Sequence, residues 1–211
     1  MKICATSDLH GFLPDIPECD VLVIAGDVCP VRGGHSIGRQ TNWLNDVFNK
    51  WAMSQPARHV LLVAGNHDFA LQSGNRKKIY LTMPILCDEA KEIDGKIFYG
   101  SPWTPTFGKW AFMEDECKLK ERFANMPNDI DILVTHGPPF NILDRTDFGD
   151  LAGSHALGDR MGERAEIMGK KSVHIFGHIH EAFGSIGSNY NVSHVNEHYE
   201  PVNPIVEIEI E

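Results

Sequence analysis

No stretch of this chain strings together 18 apolar residues, and its opening segment, Met1-Lys2-Ile3-Cys4-Ala5-Thr6-Ser7-Asp8, lacks an apolar run leading to a small-residue cleavage site. Both absences argue against a membrane-spanning helix and against export. Paired cysteines are missing too. Cys4, Cys19, Cys29, Cys87 and Cys117 are odd in number, widely spaced and nowhere in C-x-x-C register. That argues against a zinc knuckle or a dithiol redox motif and fits a reducing, cytoplasmic setting. Positive charge is also short: 19 Lys and Arg face 29 Asp and Glu, for a net charge of -10. A chain so charged has no basic field to gather a phosphate backbone, which argues against long nucleic acid as a partner. Repeats, low-complexity tracts and clear linkers are absent. With 211 residues, 42% of them hydrophobic, one globular domain spanning residues 1–211 is expected.

What the chain has in excess is histidine, with 11 copies, nearly half of them in short segments rich in Asp, Asn and Gly. These segments follow short apolar, β-branched runs that read as buried strands: 2–6, 20–25, 59–64, 130–135 and 172–176. Between the runs, apolar residues recur at three- and four-residue spacing over 37–52, 114–125 and 157–168, the periodicity of helices. Strands alternating with helices predict an α/β layer fold. The tail carries Val206-Glu-Ile-Glu-Ile210, the alternation of a half-exposed strand in an antiparallel part of a sheet.

Each expected strand ends in residue types that bind metals. The order along the chain is Asp8-Leu9-His10, Gly26-Asp27, Gly65-Asn66-His67-Asp68, His136-Gly137 and Gly177-His178-Ile179-His180. In open α/β sheets, ligands bind beyond the carboxyl ends of the strands, so five parallel neighbours would bring these loops to one edge. Asp8 and His10, two residues apart, point the same way and can chelate one cation. Asp27 has two carboxylate oxygens with which to bridge two cations. Asn66 offers a carbonyl oxygen, His136 and His178 offer imidazole nitrogens, and His180 completes the first shell. Oxygen and imidazole ligands without thiolate suit two divalent metal ions, Mn²⁺ first, with Fe or Zn²⁺ as alternatives. Two such ions roughly 3.5–4 Å apart would hold a bridging hydroxide and clamp phosphoryl oxygens during in-line attack, giving Asp27 a direct part in catalysis. His67 is not needed in either shell and is free to protonate a leaving alkoxide, an effect worth on the order of 10²–10⁴-fold. Asp68 reads either as a brace for this loop or as a solvated turn residue.

The ordered set D-x-H, G-D, G-N-H-D, H and G-H-x-H resembles the calcineurin-like metallophosphoesterases across residues 8–180. Tyr99-Gly-Ser-Pro-Trp103, Thr135-His-Gly-Pro-Pro139, Val173-His-Ile-Phe-Gly-His-Ile-His-Glu181 and Pro201-Val-Asn-Pro204 are similar to the brain-type metallophosphoesterase-domain proteins of animals and their microbial relatives. The resemblance implies a four-layer α/β/β/α sandwich of two mixed sheets flanked by helices. It also implies that Asp8, His10, Asp27 and His180 hold a first metal, that Asp27, Asn66, His136 and His178 hold a second, and that His67 is the acid. The closer subfamily implies a phosphodiesterase acting on 3′,5′- or 2′,3′-cyclic nucleotides and aryl diesters, with a nuclease or phosphomonoesterase on the same site as the alternative and a non-catalytic scaffold behind both. Some relatives have lost a histidine of the last block; here both are present. The G-D-x-x-D-R-G of serine/threonine phosphatases is not met, because Gly26-Asp27 runs into Val28-Cys29-Pro30-Val31. The expected partner is a small phosphodiester, with no membrane, and a homodimer is the assembly this reading allows.

Other residues carry weaker signals. Cys29 reads as loop packing, His35 and His194 as candidates for the mouth of the site, and His59, His155, His174 and His198 as surface or packed histidines. Trp103 and Trp110 flank a loop where a ring could stack on a base, although packing is the better explanation of them.

Overall fold

Alternation of side chains along the strands sets the architecture. The structure is a computed structural model that describes residues 1–32, 35–72, 74–169 and 172–210. Chain order gives β1 (Lys2–Thr6), β2 (Cys19–Ala25), β3 (Ala57–Val63), β4 (Ile85–Leu86), β5 (Glu89–Ile93), β6 (Lys96–Ser101), β7 (Thr104–Pro105), β8 (Met113–Glu114), β9 (Ile132–Thr135), β10 (Val173–Phe176), β11 (Gly184–Ile186), β12 (Asn189–Asn191) and β13 (Val206–Glu209). They form a five-stranded sheet in the order β13-β1-β2-β3-β4, a six-stranded sheet in the order β11-β12-β10-β9-β6-β5, and a small β7-β8 ribbon. The first sheet is parallel except for β13; the second is parallel through β12, β10, β9 and β6, with antiparallel strands at both edges.

Odd and even positions then define four layers. Ile3, Ala5, Val21, Val23, Leu61 and Val63 face Phe98, Ile132, Val134 and Ile175 of the other sheet, all buried. On the first sheet's outer face, Cys4, Leu22, Ile24 and Leu62 pack against Leu44, Phe48 and Ala52. These come from α1 (Ile37–Trp43), a π-helical turn (Leu44–Phe48) and α2 (Asn49–Ser54), which run on without a break. The second sheet's outer face, with Tyr99 and Leu133, is covered by Leu119 and Phe123 of one helix and Ala156 and Leu157 of another. A short α3 (Phe69–Gln72) follows the third strand, and the covering helices are α4 (Glu116–Ala124) and α5 (His155–Met168). The result is the expected α/β/β/α sandwich.

Local chemistry starts both covering helices. Asp115 caps α4 by accepting from the Lys118 amide at 3.0 Å. Ser154 caps α5 through the Leu157 amide at 3.2 Å, and Glu116 of α4 accepts from the His155 and Ala156 amides, so one carboxylate satisfies orphan donors of the neighbouring helix.

The five strands expected from the sequence appear as β1, β2, β3, β9 and β10, each end within two residues of its expected place. They are not one row of neighbours. β1, β2 and β3 lie in one sheet and β9 and β10 in the other, so their carboxyl ends meet across the gap between two faces. No helix among the described residues is long and apolar enough to cross a membrane.

His174, fully buried in β10, shares a 2.8 Å hydrogen bond with the Thr135 hydroxyl, which itself donates to Gly137 O at 2.6 Å. Burial pushes its pKa down to about 3, from an ordinary value of 6.5. A histidine kept neutral in the fold but free to protonate when unfolded draws protons to the unfolded chain between those two values. Stability from this group is complete above pH 6.5 and falls as the pH drops toward 3, by at most about 1.4 kcal/mol per pH unit. Chemical unfolding at stepped pH should therefore show a shallower acid loss in His174→Gln than in the wild type; parallel curves would remove the group from the acid response.

Candidate metal centre

Where the strands of the two sheets end, the backbone turns left-handed. Asp8 (φ 53°), His10 (φ 45°), Asp27 (φ 53°) and His178 (φ 72°) all sit in the region that side-chain-bearing residues avoid. Each such residue costs on the order of 1–3 kcal/mol and persists only where its surroundings over-determine it. Here the loops are stitched together by the main chain. The Asp8 amide donates to Gly26 O at 2.9 Å, that of His10 to Asp27 O at 2.9 Å, and that of Gly177 to His136 O at 2.9 Å. Asp68 adds a third loop: its buried carboxylate accepts from the amides of Cys29 (2.9 Å), Gly65 (2.8 Å) and Val28 (3.4 Å). Asp68 is thus a brace between the loop that begins at Gly26-Asp27 and the Gly65–Asp68 loop, not a solvated turn residue. Burial, reinforced by nearby Asp27, raises its pKa to about 6.

Side chains reach into the seam from both sheets. Asp8 Oδ2 accepts from Ser7 Oγ (2.6 Å), Ser193 Oγ (2.8 Å) and the His178 amide (3.0 Å), while Asp8 Oδ1 is buried with no hydrogen-bond partner and has His180 Nε2 at 3.4 Å. Asp27 Oδ1 accepts from the His67 amide at 2.7 Å. Its Oδ2 has His136 Nε2 at 3.4 Å and the Nε2 atoms of His10 and His67 at 3.9 Å each. His136 is held by Nδ1 donating to Ala25 O at 2.9 Å, which aims Nε2 at Asn66 Oδ1, 2.8 Å away. In the same manner the His180 Nδ1 donates to Asn196 O at 3.2 Å and turns Nε2 toward His10 Nε2 at 3.4 Å. Orienting an imidazole through its far nitrogen is how ligating histidines are held.

Electrostatics follow the same map. Burial would raise both carboxyls, but His180 and His136 hold Asp8 below the usual carboxylate range, and His136, His67 and His10 do the same for Asp27. Burial would lower His136, yet Asp27 and Asp8 outweigh it and bring its pKa up to about 9; His180 is raised against burial chiefly by Asp8. Burial dominates at His10 and His178, taking them down to about 4 and about 3, and lowers His67. The two buried carboxyls and the imidazoles of His136 and His180 thus shift one another in opposite directions, the acids down and the bases up.

These residues fit metal ions. Asp8, His10 and His180 bring ligand atoms within 4.8 Å of one another, as do Asp8, Asp27 and His136, and His10, Asp27 and His67. The partnerless Asp8 Oδ1 is an acceptor without a donor, deep in the seam. Glycines clear the space: a Cβ on Gly65 would meet Asp27 Oδ1 at 2.2 Å, and one on Gly177 would meet Asp8 Oδ2 at 2.1 Å.

Asp8, His10, Asp27, Asn66, His67, His136, His178 and His180 lie together in this cluster or on its edge. Asn66 abuts His136, and His178 sits beside the His136 ring (4.9 Å between centroids) and under Phe107 (5.5 Å). Cys29 is loop packing, its thiol driven up by burial. His35 does stand at the mouth, 5.4 Å from the His67 ring, whereas His194 is spent on a hydrogen bond to Asn203 O. Trp103 packs under the Arg122 guanidinium and donates to Asp88, while Trp110 lies 4.4 Å from the His67 ring. Ser7, Ser193, Asn196 and Tyr199 went unseen in the sequence. Ser7 adjoins Asp8 and could have been found there; the other three come from the tail, far from any motif.

A buried carboxylate pair at the carboxyl ends of β1 and β2, faced by histidines that follow β9 and β10 of the other sheet, is the kind of site that metal-dependent hydrolases use. Residues 1–182 match the calcineurin-like phosphoesterase family, and the chain belongs to it: it is a metal-dependent phosphoester hydrolase. Metallophosphoesterase domain-containing protein 1 of Homo sapiens is 27% identical over 99% of this chain and 71% of its own length. A UPF0046 protein of Caenorhabditis elegans is 30% identical over 89% of this chain and 70% of its own. The probable rhamnogalacturonate lyase C of Emericella nidulans is 32% identical over 87% of this chain, which spans 17% of that protein.

Because Asp68 braces two ligand-bearing loops from outside, Asp68→Ala should leave a folded protein whose metal affinity, read by chelator competition, is roughly 10–100-fold weaker. Unchanged affinity would make the brace purely structural.

Proposed function

We propose that the protein is a phosphodiesterase for small diesters, with cyclic nucleotides as its substrates and two divalent ions, Mn²⁺ first, as its cofactors. Asp8, His10, Asp27 and His180 would hold one ion, and Asp27, Asn66, His136 and His178 the other. Bound there, such ions activate water and neutralise charge on the phosphoryl oxygens. The chain's own groups do the rest. Asp27 ties both halves of the site together, and its Oδ1 fixes the His67 backbone. His67 presents Nε2 to the seam and hands its proton to the leaving oxygen. Trp110 and His10 confine the ring so that this proton has one direction to go.

Charge balance is the observation that supports a diester. Among the described residues, the ion-pair partners of Asp8 and Asp27 are all histidines, with no ammonium or guanidinium held against them. A monoester dianion calls for more fixed positive charge than a singly charged diester does. The surroundings are aromatic, with Trp110 and Phe107 against His67 and His178, which suits a diester carrying a flat group. The lyase name of the Emericella nidulans protein is not carried over, since the matched region is a small part of that chain.

Steady-state hydrolysis by Mn²⁺-loaded protein of bis-p-nitrophenyl phosphate, p-nitrophenyl phosphate and both cyclic AMP isomers tests this. Diesters should turn over at least about tenfold faster than the monoester. Preference for the monoester would sink the proposal. His67→Ala should keep both metals and lose on the order of 10²-fold or more on cyclic AMP, with a smaller loss on the nitrophenyl diester, whose leaving group needs little protonation. Equal losses on both would mean that His67 positions phosphate instead of donating a proton. Asp27→Ala should bind neither metal pair nor substrate; two ions by elemental analysis would remove its bridging role.

A further inference from the structure

The loop between Ser193 and Pro204 stands over the metal centre, and Asn196 organises it. Its backbone amide donates to Glu200 O, its carbonyl accepts from the Tyr199 amide at 2.9 Å, and its side-chain oxygen accepts from the His198 and Glu200 amides at 3.0 and 2.9 Å. A bridge between Val195 and Pro201 closes the loop. The same Asn196 carbonyl takes the proton of His180 Nδ1, so one residue both aims a site imidazole and shapes the loop above it.

At the top of this loop is Tyr199. Its φ is 59°, a conformation that a bulky side chain rarely takes and that signals a function when the surroundings enforce it. The ring lies 4.8 Å from His10, 5.2 Å from His180 and 6.4 Å from His67, yet 40% of the residue remains open to solvent. Trp110 meets His67 from another side, in company with His35. His67 thus has two aromatic rings near it, Tyr199 on the His10 side and Trp110 on the His35 side.

We infer that Tyr199 is a specificity-determining residue whose ring, held over the metal centre by the Asn196 loop, stacks on the base of a nucleotide substrate. The inference rests on the phosphodiesterase reading above and narrows its substrate to diesters that carry a planar aromatic group. Tyr199 makes no bond in the reaction. It sets which esters stay long enough to react, through face contact that is tolerant of base identity.

The test compares two ligands that share a sugar phosphate and differ by the base. Metal-loaded protein is titrated calorimetrically with adenosine 5′-monophosphate and with ribose 5-phosphate. Wild type should prefer the nucleotide. Tyr199→Asn, chosen because asparagine accepts positive φ and leaves the loop unstrained, should lose about tenfold on the nucleotide and keep its ribose 5-phosphate affinity and metal content. Tyr199→Phe should behave as wild type. Equal loss on both ligands, loss of metal with the ring, a Phe variant as weak as the Asn variant, or no nucleotide preference in the wild type would each overturn the inference. Binding separates this idea from the one beneath it. A base preference erased in Tyr199→Asn without any diester hydrolysis would defeat the phosphodiesterase reading alone, and diester hydrolysis without base preference would defeat only the role of Tyr199.

Discussion

Two carboxylates, Asp8 and Asp27, lie buried between two β-sheets, and the rest of the molecule can be understood as the means of keeping them there. Moving an anion out of water costs several kcal/mol even after relaxation. Part of that cost is met by directed donors: Ser7, Ser193 and the His178 amide on Asp8, the His67 amide on Asp27. The remainder is met by imidazoles, since the carboxylates raise the proton affinity of His136 and His180 against the effect of burial. Ligands for which protons and cations compete in this way bind metals in a pH-dependent manner.

This requirement explains the sandwich. A single sheet could supply Asp8, Asp27 and Asn66 from β1, β2 and β3, but those strands alone leave the anions open to water on one face. The second sheet closes that face and brings His136 and His178 from β9 and β10. Contacts between the two sheets at the site are polar and specific, His136 to Ala25 O and Asp8 to the His178 amide, whereas behind the site they are wholly apolar, from Ala5 and Val23 to Ile132 and Ile175. The apolar contacts hold the faces together, and the polar ones set their register. Backbone strain at Asp8, His10, Asp27 and His178 is sustained because four loops are tied to one another and not to solvent.

Above the centre the chemistry changes from charge to surface. Trp110, Phe107, His35 and Tyr199 ring a mouth that lies over the anion pair, giving a polar floor and aromatic walls. The final segment serves both: β13 pairs antiparallel with β1 at the sheet edge, and the loop before it supplies Asn196 and Tyr199.

The sequence alone determined the chemistry. Apolar runs ending in Asp, Asn and His placed β1, β2, β3, β9 and β10 and the aspartates, asparagine and histidines at their ends, because strand period and ligand type are local properties. The edge strand β13 was readable for the same reason. Tertiary structure decided the rest. Whether five strands share one sheet or divide between two depends on the burial of both faces, which β-branched runs report equally in either case. β4, β5, β11 and β12 are short or mostly exposed, with no apolar period to announce them. Asp68 could be read as a brace or as a turn residue, and only the fold, by bringing three amides from two loops onto its carboxylate, decides for the brace. Tyr199 is one aromatic in a polar tail, and only the fold, by carrying residue 199 back over residues 10 and 180, gives it a place at the site.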